Sequence, residues 1–517
     1  MTGGDLLCDS LLELGVDVCF ANPGTSEMHF VAALDRRPEM RCVLGLFEGV
    51  VTGAADGFAR MRRLPAATLL HTGPGLANGL ANLHNARRAG SPVLNIVGDH
   101  AAHHLPFDAP LTSDIESLAR PMSTAVRRLG SPDDVAAGVA AAWRDSILSA
   151  GPVTLILPAD TAWSATPVTA RAGRVLPSRP APDADVIREV AAAIRSCRGR
   201  YALLVGDEAA LATGTDLAGR IVARHPHGEV LAEVLPARLS NGRGRVSPRS
   251  IPYPVDQALD MLRDIELLVL VGAPEPVAFF AYPGKPSRLV PEGCRVISLA
   301  SRREDQLAAL EALVDELSAR ASPPATDRAG LDEAAFSGPL SADLVGELLA
   351  RRLPEQAIVC DEGVTGAARF RALAHAAAPH DRLAVSGGSI GIGIPLAVGA
   401  AIACPDRKVV SIQADGSGLY TLQGLWTQAR ERLDVLTVIL SNRAYAILQG
   451  ELRNLGVDRV GRNATRMMSL DDPPLDWVSL ARGFGVEAAR AETAEAFADL
   501  VTAAMRRHGP FLIECVI

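Results

Sequence analysis

Asp415 and Asn442 stand twenty-seven residues apart, and each follows an apolar run that reads as a buried strand. The first run leads through Gln413-Ala414-Asp415-Gly416-Ser417-Gly418-Leu419-Tyr420 into a helical stretch, Gln423–Arg430; the second, Val435–Leu440, ends at Ser441-Asn442. Ligands of open α/β sheets bind at the carboxyl ends of strands, so one strand, helix and strand would bring both side chains to the same edge. Magnesium takes hard oxygen ligands and is often held by one or two protein groups plus the oxygens of a diphosphate. Asp415, the amide oxygen of Asn442 and a nearby backbone carbonyl suit it, and Gly416 and Ser417 would turn N–H groups toward the same diphosphate. Alone, Asp-Gly-Ser is commonly a turn or helix cap. The spacing makes it a candidate metal-diphosphate site.

Other segments carry groups able to move protons or hold phosphate. Glu48 heads a small-residue helix, where an acid also complements the helix dipole. Asn22-Pro23-Gly24-Thr25-Ser26-Glu27 follows a strand and reads as a turn with a helix cap. His71 ends the strand Ala67–Leu70, where an acid–base group could reach a ligand. His100, His103 and His104 share one loop without acidic ligands at a suitable spacing, so a solvent-facing loop is the leading reading there. Gly387-Gly388-Ser389-Ile390-Gly391-Ile392-Gly393-Ile394-Pro395 precedes an Ala-rich helix and reads as either a phosphate cradle or tight packing.

Strands must position these groups, and short apolar runs supply them. In the first third they are Val16–Ala21, Ala67–Leu70, Val93–Val97 and Val153–Leu157, alternating with Ala-rich helical stretches. A second block has Tyr201–Val205, Leu267–Val271 and Arg295–Leu299; the last has Ala357–Cys360, Lys408–Gln413, Val435–Ser441 and Phe511–Val516. Pro-rich tracts at Ala165–Asp183 and Ser322–Thr326 read as linkers. The alternation predicts an α/β protein of three doubly wound parallel-sheet domains, over 1–165, 183–321 and 339–517.

Composition agrees. The 517 residues are 48% hydrophobic but only 4% aromatic, so Ala, Val, Leu and Ile build the interior. A net charge of −8 without a basic run disfavours nucleic acid. Eight scattered cysteines read as reduced thiols, and the absence of a signal or an apolar span predicts a cytoplasmic protein without a membrane anchor.

The Asp-Gly to Asn spacing, with its intervening helix, resembles the thiamine-diphosphate motif of the acetolactate synthase and benzoylformate decarboxylase family. Ala414 and Ser441 stand where that family usually has Gly and often has Asn. The stretch Leu46-Phe47-Glu48 through Ala55-Asp56-Gly57-Phe58-Ala59 is similar to the family's glutamate followed by Ala-Asp-Gly-aromatic-Ala. The resemblance implies a pyrimidine-binding first domain, a middle domain and a diphosphate-binding last domain. It implies that Asp415, Asn442 and the carbonyl of Ala444 hold Mg2+, that Gly416, Ser417 and Thr365 reach the diphosphate, and that Glu48 shares a proton with the cofactor's aminopyrimidine. Gly388 would accept the exocyclic amino proton through its carbonyl, and Ile390 would bend the cofactor. Tyr445 and Leu448 would line the substrate pocket, Thr25 and His71 would face substrate, and His104 would be a second proton shuttle.

The same resemblance implies a homodimer or homotetramer, because the cofactor lies between the first domain of one subunit and the last of another. FAD is not expected: the Leu-Gly-Met-His-Gly stretch associated with flavin is absent, and Asn241-Gly242-Arg243-Gly244-Arg245 stands in that region. The middle block lacks an intact G-x-G-x-x-G, which weakens a nicotinamide dehydrogenase reading. The decarboxylase pattern's middle-domain histidine has no counterpart in Phe279-Phe280-Ala281-Tyr282-Pro283-Gly284. The resemblance implies an acetolactate synthase-like activity: decarboxylation of a small 2-oxo acid, with ligation to a second carbonyl and plain decarboxylation both open. Benzoylformate decarboxylase-like chemistry is the alternative, and an inactive cofactor-binding paralogue with a structural or regulatory role is the rival of another class.

Overall fold

Runs of Val, Ile and Leu that are too short for helices form the centres of three sheets in the computed structural model, which describes every residue except 171–173, 327–329, 332–335 and 458. The first sheet comprises β1 (Val18–Asn22), β2 (Arg41–Leu44), β3 (Ala66–Leu70), β4 (Val93–Asp99), β5 (Ala125–Arg128) and β6 (Pro152–Pro158), in the order β2-β1-β3-β4-β6-β5. All its neighbours pair in parallel. Parallel strands need helical crossovers on both faces, which explains the Ala-rich stretches between them.

The middle lobe has β7 (Arg200–Val205) and β8 (Gly228–Ala232); the chain then leaves through β9 (Leu239–Asn241) and returns with β10 (Arg249–Ser250), β11 (Ile265–Val271) and β12 (Arg295–Ala300). Their order is β10-β8-β7-β11-β12. The third sheet holds β13 (Ala357–Glu362), β14 (His380–Ala384), β15 (Val409–Ala414), β16 (Val435–Ser441), β17 (Glu487–Ala491) and β18 (Phe511–Val516), ordered β17-β18-β16-β15-β13-β14-β9. β9, from inside the middle stretch, closes this sheet as an antiparallel edge on β14.

Each apolar run singled out in the sequence is a strand to within a few residues. The strands without such a signal are mostly half-exposed edges such as β2, β5 and β17. β14 differs, being fully buried yet written His-Asp-Arg-Leu-Ala. Its charges are met from other elements: Arg382 pairs with Asp361 at 3.2 Å, and Asp381 pairs with Arg407 at 2.8 Å and Arg238 at 3.0 Å. Buried charge is tolerated only when paired in this way.

The first and last lobes pack through two helices, Glu48–Arg62 and Gly393–Ala403. Gly57 and Gly399 bring the backbones together; a Cβ on Gly57 would overlap the Leu396 carbonyl, and one on Gly399 the Ala54 carbonyl. Arg60, buried beside them, pairs with Asp56 at 2.6 Å and donates to the carbonyls of Ala384 and Ala237. Among the described residues no helix is long and apolar enough to cross a membrane, and all eight cysteines are free thiols.

Candidate active site

The functional candidates gather at the carboxyl ends of the first and third sheets. In the first lobe, β1 runs into Asn22 and the Thr25–Glu27 turn, β2 precedes Glu48, and β3 ends at His71, the cap of the helix Thr72–Ala89. β1 lies between β2 and β3, so these three connections are neighbours. Glu48 Oε2 accepts from Asn78 Nδ2 at 3.0 Å, and Gly75 sits between the Glu48 carboxylate and the His71 side chain.

His71 has a partner that the sequence did not single out. Its Nδ1 lies 2.8 Å from Glu27 Oε2 and 3.2 Å from Ser26 Oγ. Glu27 is only 1% exposed, also accepts the N–H of Gly24 at 2.8 Å and the hydroxyl of Ser26, and lies so close to Gly98 that any Cβ there would overlap it. A buried carboxylate facing a half-exposed imidazole holds the ring's tautomer and orientation, as in acid–base pairs. In sequence Glu27 looked like part of a cap; a carboxylate one turn after a strand-end Asn-Pro-Gly was the available signal. Thr25 is exposed at the start of the same turn. His104 lies on an exposed loop against His100 and Phe107, and no hydrogen bond joins it to His71 among the described residues.

In the third lobe Asp415 follows β15 and Asn442 follows β16, its direct neighbour. Asp415 is 1% exposed, and its Oδ2 accepts the N–H of Arg443 at 2.6 Å, which ties it to the residue beside Asn442. Its Oδ1 takes the N–H of Gly416 at 2.8 Å. Arg443 has a left-handed backbone, φ 55°, and Asn442 Oδ1 accepts the N–H of Ala444 at 3.0 Å, so the turn is folded over its own side chain. Burial raises the Asp415 carboxyl above its ordinary value against these amides, and Glu514 adds to the effect. Among the described residues no cation pairs with Asp415. A buried carboxylate tied to the turn that carries the Asn442 amide oxygen is a donor set that fits a hard divalent cation. No cluster of three or more His, Cys, Asp or Glu suited to a metal occurs among the described residues.

Tyr445 lies across Gly416, and its phenol is raised by burial and by Tyr420 and Asp415. Ser417 Oγ donates to the Ala414 carbonyl at 3.1 Å. Thr365 is exposed in the turn after β13, and Leu448 is exposed on the helix Ala446–Asn454.

The glycine-rich segment 387–393 is where the lobes meet. First-lobe side chains take its carbonyls: His84 Nε2 lies 3.0 Å from Gly387 O, and Asn85 Nδ2 donates to Ser389 O at 2.8 Å. Asn82 Nδ2 bridges Gly49 O, beside Glu48, at 2.7 Å and Gly391 O at 3.3 Å. From the middle lobe, the Phe279 ring packs on Gly388, whose φ of +73° and lack of side chain are both required there. No described residue donates to the Gly388 carbonyl, which leaves an acceptor for a ligand. The amides of Gly391, Ile392 and Gly393 are taken by Glu362, whose carboxyl burial pushes up to about 7 despite those three donors. The segment is therefore packed rather than open to phosphate through these amides.

At the carboxyl ends of β7 and β11 the middle lobe packs its own side chains around Gly206 and Gly272. Gln306 and Glu233 fill the space beside Gly272 and Gly206, and Arg302 pairs with Glu233 at 2.8 Å while donating to the Gly272 carbonyl at 3.1 Å.

Comparison with known proteins accords with this geometry. Residues 1–118 match the thiamine pyrophosphate enzyme N-terminal TPP binding domain, and residues 365–515 match the corresponding C-terminal TPP binding domain. The chain is 46% identical, over 100% of its length and 99% of the relative's, to a Mycobacterium tuberculosis (strain ATCC 25618 / H37Rv) protein named "Putative acetolactate synthase large subunit IlvX". It is 29% identical to a benzoylformate decarboxylase of Pseudomonas aeruginosa, covering 97% of this chain and 96% of that one. Its fold matches a thiamine diphosphate-dependent 4-hydroxybenzoylformate decarboxylase of Rhodococcus jostii RHA1 with a TM-score of 0.85 at 24% identity, over 99% of this chain and 98% of that one.

Proposed function

The chain belongs to the thiamine pyrophosphate enzyme family, and from that premise we propose that it decarboxylates a small 2-oxo acid and joins the remaining acyl carbon to a second carbonyl, in the manner of an acetolactate synthase. Bound thiamine diphosphate supplies the nucleophilic carbon and the electron sink for loss of carbon dioxide. Asp415, Asn442 Oδ1 and the Ala444 carbonyl would hold Mg2+; Gly416, Ser417 and Thr365 would reach the diphosphate, and Tyr445, lying across Gly416, would border both it and the substrate pocket. Glu48 would hold a proton at the aminopyrimidine, the Gly388 carbonyl would accept from its amino group, and Ile390 would bend the cofactor. His71, oriented by Glu27, would move protons on the substrate side, Thr25 would face substrate, His104 would be a second proton shuttle, and Leu448 would line the pocket.

The observation that carries ligation over simple protonation is Phe279. The middle lobe turns a hydrocarbon ring onto Gly388, in the stretch where the decarboxylase pattern has a histidine. A hydrocarbon ring in that place offers no proton, which favours capture by a second carbonyl over protonation. The His71–Glu27–Ser26 network favours the second reading, a benzoylformate decarboxylase-like release of aldehyde.

We assign 1–165 to the pyrimidine, 183–321 to the middle and 339–517 to the diphosphate, without FAD. A homodimer or a tetramer of paired dimers completes the site, and free thiols accord with a cytoplasmic setting. Product identification after incubation with thiamine diphosphate, Mg2+ and either pyruvate or benzoylformate tests the reading. A hydroxyketone is expected, aldehyde alone would replace it with the second reading, and cofactor binding without turnover of any 2-oxo acid would indicate the inactive paralogue.

A further inference from the structure

Three consecutive amides at the start of a helix are an anion site by construction, because their N–H groups point one way and the helix dipole adds to them. Gly391, Ile392 and Gly393, which open the helix Gly393–Ala403, form such a site, and the anion in it belongs to the protein. Glu362 Oε1 accepts from Gly391 at 2.7 Å and Ile392 at 3.3 Å, and Oε2 accepts from Gly393 at 2.7 Å. Glu362 is 1% exposed and comes from the end of β13, not from the residue preceding the helix. It is therefore a tie between two elements rather than a local cap. The tie is tight: a Cβ on Gly393 would lie 2.8 Å from Glu362 Cβ and would overlap the Gln413 amide.

On the opposite side, Asn82, Asn85, His84 and Thr421 hold the carbonyls of the same segment, leaving that of Gly388 without a described donor. Pulled from both sides, the turn has one height and one tilt.

We propose that Glu362 is a positioning residue for the cofactor: its carboxylate holds the 391–393 amides and so fixes Gly388 and Ile390 against the cofactor rings. The proposal rests on the reading that Gly388 and Ile390 face those rings. Glu362 touches neither cofactor nor substrate and acts through the backbone. Both oxygens must accept, so Glu362→Gln turns one of them into a donor facing donors. Glu362→Asp keeps the charge but shortens the reach.

The test uses the full chain with thiamine diphosphate and Mg2+. It measures cofactor affinity by titration of intrinsic fluorescence, exchange of the bound cofactor's thiazolium C2 proton for deuterium by quenched NMR, and melting temperature. In Glu362→Gln, C2 exchange is expected to fall about 10- to 100-fold, the cost of a small misplacement, with affinity within about threefold of wild type because the diphosphate is held elsewhere. Glu362→Asp recovers part of the exchange rate. Exchange within about twofold of wild type in Glu362→Gln overturns the proposal, as does a loss of exchange that merely follows lost affinity or lost folded protein. If Glu362→Gln does not fold, Glu362→Asp decides by the same criteria. Wild-type protein that fails to bind thiamine diphosphate sinks the cofactor reading itself, before any variant is compared.

Discussion

His71 Nδ1 and Glu27 Oε2 lie 2.8 Å apart, with the carboxylate sealed against Gly98 and the ring part-exposed. On the proposed function the buried member orients the ring and the ring moves the proton. Glu27→Gln should lower turnover of 2-oxo acids by about 10- to 100-fold without weakening cofactor affinity, since general acid–base groups contribute about 10²- to 10⁴-fold and the ring itself is retained. Steady-state kinetics beside a cofactor titration decides, and unchanged turnover would leave the pair a structural contact.

Glu48 opens the first turn of its helix and is steadied by Asn78. Glu48→Gln keeps the shape and the Asn78 contact but cannot give up a proton. Turnover should drop by roughly 10²-fold or more. Near-wild-type turnover by the purified variant would remove Glu48 from the mechanism.

Asp415 is a buried carboxylate that no cation pairs with among the described residues, and its Oδ2 also anchors Arg443. Asp415→Asn should abolish the Mg2+ dependence of thiamine diphosphate binding and weaken it by at least about tenfold, because a hard cation loses its charged ligand. Calorimetric titrations with and without Mg2+ measure this. An affinity that still rises on adding Mg2+ would move the metal to other ligands.

Gly399 admits no side chain, because the Ala54 carbonyl and the Phe58 amide occupy the space. Gly399→Ala should destabilise the chain by about 1–3 kcal/mol, the usual cost of overpacking. Denaturant unfolding would register it; a stability equal to wild type would mean that the two helices separate readily.

His380 is fully buried in β14, with Nδ1 2.7 Å from the Ala378 carbonyl, and burial lowers it from 6.5 to about 4. The folded state thus binds fewer protons than the unfolded state between those values. Its contribution is present above pH 6.5 and lost as pH falls toward 4, a change on the order of 3 kcal/mol. Stability measured across that window should fall less steeply in His380→Asn than in wild type; parallel curves would show that His380 does not govern the acid limb.

The central strands were legible because full burial writes an uninterrupted apolar run, as in Val435–Ser441. β14 was not, since its buried His380, Asp381 and Arg382 are rendered tolerable by Asp361, Arg238 and Arg407, whose proximity no local pattern encodes. In the site, Asp415 and Asn442 could be paired because neighbouring parallel strands impose their spacing. Glu27 and Glu362 could not, since each takes its meaning from groups tens of residues away: His71 for one, the 391–393 amides for the other. Asp361-Glu362 closing an apolar strand was a trace of the second, but a pair of acids at a strand end is also an ordinary solvated edge.

The Gly57–Gly399 contact binds the edge bearing Glu48 and the edge bearing Asp415 into one block. If each pocket of the proposed homodimer takes Glu48 from one chain and Asp415 from the other, two inactive alleles need not stay inactive together. A chain lacking the Glu48 carboxylate, paired with one lacking that of Asp415, concentrates both defects in one pocket and leaves the other whole. Co-expression of the two silent chains would then restore turnover that neither gives alone, with half the pockets of each mixed dimer at work.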